Sequence, residues 1–177
     1  MLFRRRRYER AGFALYTAAV AAARDPWFYT ALGVPDTLDG RFDLVGVHVF
    51  LIIDRVRGEK PPGPEVAQAV FDAMFADMDF NLREMGVGDM SVGKRMKEMW
   101  EAFHGRATAY AAAVAAQEDA GLAEALARNV WRGAVPAGAD RTLAAHVRRL
   151  HAEMAVQPLE PFLRGEITFP AAHPIAA

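Results

Sequence analysis

A chain of 177 residues, 53% of them apolar and with a formal net charge of −1, has the size and apolar content for one domain with a substantial core, which excludes a disordered tail protein. The near-neutral balance excludes a global pull toward DNA, leaving local clusters such as Arg4, Arg5, Arg6 and Arg7 as the source of any electrostatic attraction. The lack of cysteine excludes a disulfide framework and a thiolate nucleophile, and restricts any zinc site to histidine and carboxylate ligands.

From the N-terminus, the four arginines followed by the apolar stretch Ala11 to Ala23 have the outline of a secretory leader. Tyr16 and Thr17 interrupt that stretch, and Phe13, Tyr16 and Val20 recur at helical spacing, so we read a first domain helix over Tyr8 to Arg24. Asp25-Pro26 then offers an N-cap and a proline at the first helical position for a short turn through Trp27, Phe28 and Tyr29. Gly33 to Gly40 is rich in turn formers and reads as a connection. Over Arg41 to Arg57 the β-branched residues Val45, Val47, Val49, Ile52 and Ile53 favour a strand, whereas the length and charged ends favour the buried helix we predict. Its apolar run, Leu44 to Ile53, is half of the roughly 20 residues a membrane span needs, so no span is expected.

Pro61, Pro62 and Pro64 mark Gly58 to Pro64 as a linker. The next helix is the strongest pattern: Val66, Val70, Phe71, Met74, Phe75, Met78, Leu82 and Met85 form one wide apolar face, and Gly86 stands where a C-terminal cap belongs. A further helix runs from about Gly93 toward Gln117, with Met96, Met99, Trp100, Phe103, Tyr110 and Val114 as its apolar side and Gly105 as a bend or a point of close approach. Helices over Leu122 to Trp131 and Arg141 to Val156 follow, and the proline-spaced end reads as an extended tail. The expectation is an all-α fold: one domain of six to seven helices over residues 8–157 and a tail over 158–177.

Gly88 to Lys94 matches the Gly-x4-Gly-Lys core of a phosphate-binding loop, but Arg95 replaces the hydroxyl that would reach magnesium and a helix precedes it. The preferred reading is an interhelical turn whose Asp89 or Ser91 caps the next helix. Asp77 and Asp79 invite comparison with magnesium-diphosphate enzymes of isoprenoid metabolism, yet residues two apart diverge by about 200° on a helix. Asp79 is instead spaced to pair with Arg83. His146 and His151 read as surface residues, and His48, the one polar side chain in Leu44 to Ile53, as a neutral core histidine or a ligand. With no nucleophile and base placed to cooperate, a non-enzymatic role without cofactor or metal is expected.

Six of the eight methionines, Met74, Met78, Met85, Met90, Met96 and Met99, fall on two consecutive helices and their connection. Flexible thioethers suit either core filling or a groove that repacks against an apolar client, which Phe75, Trp100 and Phe103 would complete.

The run Ala23-Arg24-Asp25-Pro26-Trp27-Phe28-Tyr29, then Gly33-Val34-Pro35-Asp36-Thr37, Asp39-Gly40-Arg41-Phe42 and His48, is followed by Met74-Phe75-Ala76-Asp77-Met78-Asp79 and Leu82 to Asp89. Lys94 and the segment Phe103-His104-Gly105-Arg106 to Tyr110 complete the pattern. Together these motifs resemble the ubiquinol-cytochrome c chaperone family over Ala11 to Gly133, with the shortness of a bacterial member. The resemblance implies a helical assembly factor that binds newly made cytochrome b and supports bc1 assembly, with a small partner subunit absent or replaced by self-association. The expected partner-binding set is Asp36, Arg41, His48, Met74, Asp77, Met78, Asp79, Arg83, Asp89, Lys94, Met99, Phe103, Arg106 and Tyr110. Arg4 to Arg7 would favour a ribosomal or anionic membrane surface, which suits a cytoplasmic protein peripheral to the inner membrane face. A magnesium-dependent helical enzyme and a peripheral membrane module stay open as alternatives.

Overall fold

The computed structural model describes the backbone of residues 2–116 and 119–172 and the side chains of 8–116 and 120–172. The arginine run Arg4 to Arg7 begins helix α1, Leu2–Ala23, but its side chains lie outside the described residues. Asp25 caps α2, Pro26–Thr30, by accepting a hydrogen bond from the Trp27 amide at 2.9 Å, as its sequence suggests. The ambiguous segment is a helix, α3, Leu38–Arg57: Thr37 accepts from the Gly40 amide to cap it, and of its β-branched residues Val47, Val49 and Ile52 are buried while Val45 and Ile53 are partly so. Then come α4, Gly63–Glu84, α5, Asp89–Ala115, α6, Asp119–Val130, α7, Ala139–Ala155, and α8, Leu159–Arg164. These are eight helices, with no strand, among the described residues.

The central helix α3 packs on α1, α4 and α7, while α5 and α6 close the remaining side. Leu15 of α1, Leu44, Leu51 and Ile52 of α3, Met74 of α4, Leu122 and Leu126 of α6 and Leu143 and Leu150 of α7 are sealed from solvent in one continuous core. The closest crossing is α1 on α4, where a methyl group added at Gly12 would stand 2.6 Å from the Ala69 Cβ. Glycine is therefore a packing requirement at position 12, where it brings the two helices to backbone contact.

Three expectations change. Residues 158–177 were expected as an extended tail, but Leu159–Arg164 forms α8 on α1, with Phe162 fully buried and Gly165 ending it at φ 80°. Arg55 secures this end: its Nε and Nη2 donate to the carbonyls of Met154 and Gln157 at 2.9 and 3.0 Å, and its guanidinium lies over the Phe162 ring. Helix α5 starts at Asp89, four residues early, and its N-cap is Gly88 with no side-chain cap, so neither Asp89 nor Ser91 plays that part. No other backbone approaches Gly105, which lies within α5, since a Cβ there would meet open space.

Candidate functional site

Four helices each contribute one stripe to a common trough. Tyr16, Val20 and Ala23 of α1, Leu38, Phe42 and Val45 of α3, and Met78, Leu82 and Met85 at the end of α4 each follow i, i+4, i+7 spacing. Arg95, Met99, Ala102 and Arg106 of α5 continue it on the opposite bank. The result is a cavity of about 580 Å³ and an adjoining one of about 210 Å³, joined across Leu38, Phe42, Leu82 and Met99. Leu38 and Met85 are 60% and 51% exposed, so the floor presents apolar surface directly to solvent.

The walls are polar and unequally satisfied. The Tyr16 hydroxyl donates to Asp77 at 2.6 Å, and burial followed by this bond pushes its ionisation well above the ordinary tyrosine range. Asp43 is buried at the other end of the trough, where Arg106 donates to its Oδ1 and the Arg132 guanidinium stands 3.2 Å from Oδ2. That second approach is an electrostatic contact without hydrogen-bond alignment, which leaves Oδ2 lacking a hydrogen bond. Burial outweighs both arginines and pushes the Asp43 carboxyl up to about 6. Arg132, the one non-glycine residue with positive φ among those described, also reaches Asp39 at 3.4 Å.

Of the expected partner-binding residues, Arg41, Asp77, Met78, Lys94, Met99 and Arg106 line the trough. Asp36 stands beside it and holds Arg41 at 2.6 Å, and the bond from Arg41 lowers the Asp36 pKa. Asp79 pairs with Arg83 at 2.7 Å, and Arg83 also holds Asp89 at 2.5 Å, which ties the end of α4 to the start of α5 outside the lining. Four other residues point elsewhere. Met74 is a core residue, Phe103 packs on Phe71 and Phe75, and Tyr110 is buried against Phe50 while accepting a bond from Asn129. His48 is sealed on the far side of α3. The wide apolar face of α4 is split between the core and the trough, which is why its methionines part company. Met90 is almost wholly exposed, Trp100 stacks on His104, and neither Trp100 nor Phe75 lines the trough.

His48 shares a second, smaller cavity with His146, correcting the surface placement of the latter. The rings stand 6.4 Å apart between Phe28 and the Gly165-to-Ala172 strap, whose Phe169 meets His48 edge-on and whose Ala171 carbonyl accepts from Arg149 at 2.7 Å. The Nδ1 of His48 donates to the Leu44 carbonyl at 2.8 Å. Burial pushes both histidines down to about 4, helped at His146 by its neighbours His48 and Arg149. Among the described residues no three histidine, aspartate or glutamate side chains converge as a metal site would need. Asp77 and Asp79 have separate partners, Tyr16 and Arg83, and do not face one another's ligands. No helix among the described residues is long and apolar enough to cross a membrane.

Sequence reasoning missed Asp43, Arg132, Tyr16 and the exposed Leu38. Asp43 carries a signal nonetheless: it leads the i, i+4, i+7 stripe Asp43, Val47, Phe50, so an acid heads a buried face. Nothing local marks Arg132.

The sequence model of the family described as "Ubiquinol-cytochrome C chaperone" matches residues 30–169, well past Gly133, where the recognisable motifs end. The chain is 26% identical over 120 residues to ubiquinol-cytochrome-c reductase complex assembly factor 1 of Xenopus laevis, covering 68% of this chain and 60% of that protein. To the Mus musculus assembly factor 1 it is 27% identical over 122 residues, covering 69% and 40%. The chain thus spans about 60% and 40% of these relatives' lengths. The crystal structure of the Cbp3 homolog from Brucella abortus superposes with a TM-score of 0.85 at 36% identity, covering 97% of this chain and 96% of that one.

Proposed function

Because the chain belongs to the ubiquinol-cytochrome C chaperone family, we propose that it is an assembly chaperone of the bc1 complex whose trough receives an apolar helix of newly made cytochrome b. The observation that carries this reading is the joined cavity floored by Leu38, Phe42, Leu82 and Met99, an adaptable apolar surface left uncovered in the folded chain. Covering a side chain such as Leu38 or Met85 contributes about 1 to 2 kcal/mol, so a helix laid along the floor would be held by a few such contacts. Met78, Met85 and Met99 can change rotamer to follow an irregular partner without a large cost. The charged banks keep the empty trough soluble and set the direction in which a client lies. The protein would act at the inner membrane face, where such a helix emerges, with Arg4 to Arg7 supplying surface attraction.

The test is complementation of a strain lacking the gene. The wild-type chain restores bc1 complex, whereas the Leu38→Asp, Met99→Lys variant folds and accumulates but leaves bc1 depleted and other respiratory complexes intact. Full restoration by that variant would remove the trough from the function.

A further inference from the structure

Taking the trough as the client site, its two ends differ in a way that specifies the client. Toward α1 an apolar floor of Val20, Ala23, Val45 and Met78 is edged by polar groups that have close partners, Asp77 held by Tyr16 at 2.6 Å and Arg41 by Asp36 at 2.6 Å. Toward α5 it carries Lys94, Arg95, Arg106 and Arg132 against Asp39, Asp43 and Glu98. The cations there are incompletely used: Lys94 lies 3.9 Å from Glu98, and none of the ion pairs among the described residues engages Arg95.

The contact between Asp43 and Arg132 at this end is incomplete. The Asp43 side chain is 1% exposed, lines the cavity, and has an oxygen without a hydrogen bond although a guanidinium is near. Arg132 stands just past the end of α6 at φ 52°, the left-handed conformation that commonly ends a helix, and its half-exposed guanidinium lies between Asp39 and Asp43 at the mouth. An arginine shared between two imperfect partners exchanges readily for a carboxylate that meets it in a planar, bidentate fashion.

We propose that the α5 end of the trough is a carboxylate seat, and that the client segment is an apolar helix ending in an acidic side chain which takes Arg132, flanked by Arg95 and Lys94. Arg132 turns outward to the incoming carboxylate and Arg106 stays on Asp43. Asp43, losing one cation and gaining a neighbouring anion, takes up a proton more readily, so seating the client is favoured as pH falls from about 8 toward 6. The charged groups acting on Asp43 are Arg106 of α5, Arg132 after α6 and Asp39 on its own helix, with the Tyr110 hydroxyl of α5 also within electrostatic reach; Lys94, Arg95 and Glu98 of α5 line the same cavity, to which α4 contributes Leu82.

The experiment uses the full chain and three fluorescent amphipathic peptides with the same apolar face, ending in a Glu, Gln or Lys pair, read by anisotropy at physiological salt. The Glu peptide should bind about tenfold tighter than the Gln peptide, and the Lys peptide weakest. Arg132→Gln should erase most of that preference, with Arg132→Lys retaining part, and Arg95→Gln, at an exposed site, should lower it by a smaller factor without affecting folding. Equal affinity for Glu and Gln peptides, both lost in Met99→Lys, would overturn the seat and leave the client trough standing. Binding of all peptides unaffected by Met99→Lys would overturn both readings. Arginine-dependent binding to phosphatidylglycerol vesicles in place of the Glu peptide would assign this end to lipid phosphates and end the proposal.

Discussion

The two buried titratable clusters on opposite sides of α3 have been driven in opposite directions by the same force. Desolvation raises Asp43 to about 6 and lowers His48 and His146 to about 4, so each is pushed toward its neutral form. Their surroundings differ. The histidines sit in an aromatic chamber closed by Phe28, Phe169 and the strap, with neutral rings and backbone partners. Asp43 sits in the wall of an open trough, between arginines that reach water. Burial alone therefore does not mark a site; burial beside exposed, unsaturated charge and uncovered apolar surface does.

The contrast breaks most visibly at the closed chamber. Phe28→Ala should cost about 3 to 5 kcal/mol in urea unfolding, because Phe28 is fully enclosed and packs on both histidines; a loss below about 1 kcal/mol would show the chamber to be soft. Next comes pH. The histidines have native pKa values below their unfolded 6.5, so their stabilisation is complete above about 6.5 and is lost as pH falls through 4, on the order of 3 kcal/mol each. Asp43, raised above 3.8, acts in the opposite sense: the native state gains stability as pH falls from 6 to 4. His48→Leu should flatten the acid limb of the stability curve, and an unchanged limb would contradict the neutral-histidine reading.

Asp43→Asn should do the reverse, steepening the acid limb while leaving stability at pH 7.5 within about 1 kcal/mol, since Arg106 and Arg132 both reach solvent. A loss of several kcal/mol would make the cluster a structural clamp. The smallest effect on stability, within about 0.5 kcal/mol, belongs to Leu38→Ser and Met85→Ser in the trough floor, both exposed. Those two should nonetheless impair bc1 assembly more than any chamber variant that still folds, as measured by complex abundance per molecule of chaperone.

The helices were legible because α4, α5 and α7 carry long periodic faces, and α2 carries a complete cap. Helix α8 was not: Pro158 and Pro161 suggest extended chain, yet proline is tolerated in a first turn, and six residues are too few to show a period. His146 was misplaced although it sits three residues after Leu143 and four before Leu150, on their buried face. In the trough, Asp77, Lys94, Met99 and Arg106 could be chosen by residue type alone. The Asp43 cluster could not, because Arg106 on α5 and Arg132 in the turn after α6 lie far along the chain and only the packing of α5 and α6 on α3 brings them together.

The most direct measurement places a photo-reactive side chain at Met99, on the trough floor, and at Val156, exposed at the end of α7, in cells synthesising cytochrome b. Position 99 should crosslink to cytochrome b and position 156 should not. Crosslinking from 156 with position 99 unreactive would contradict it.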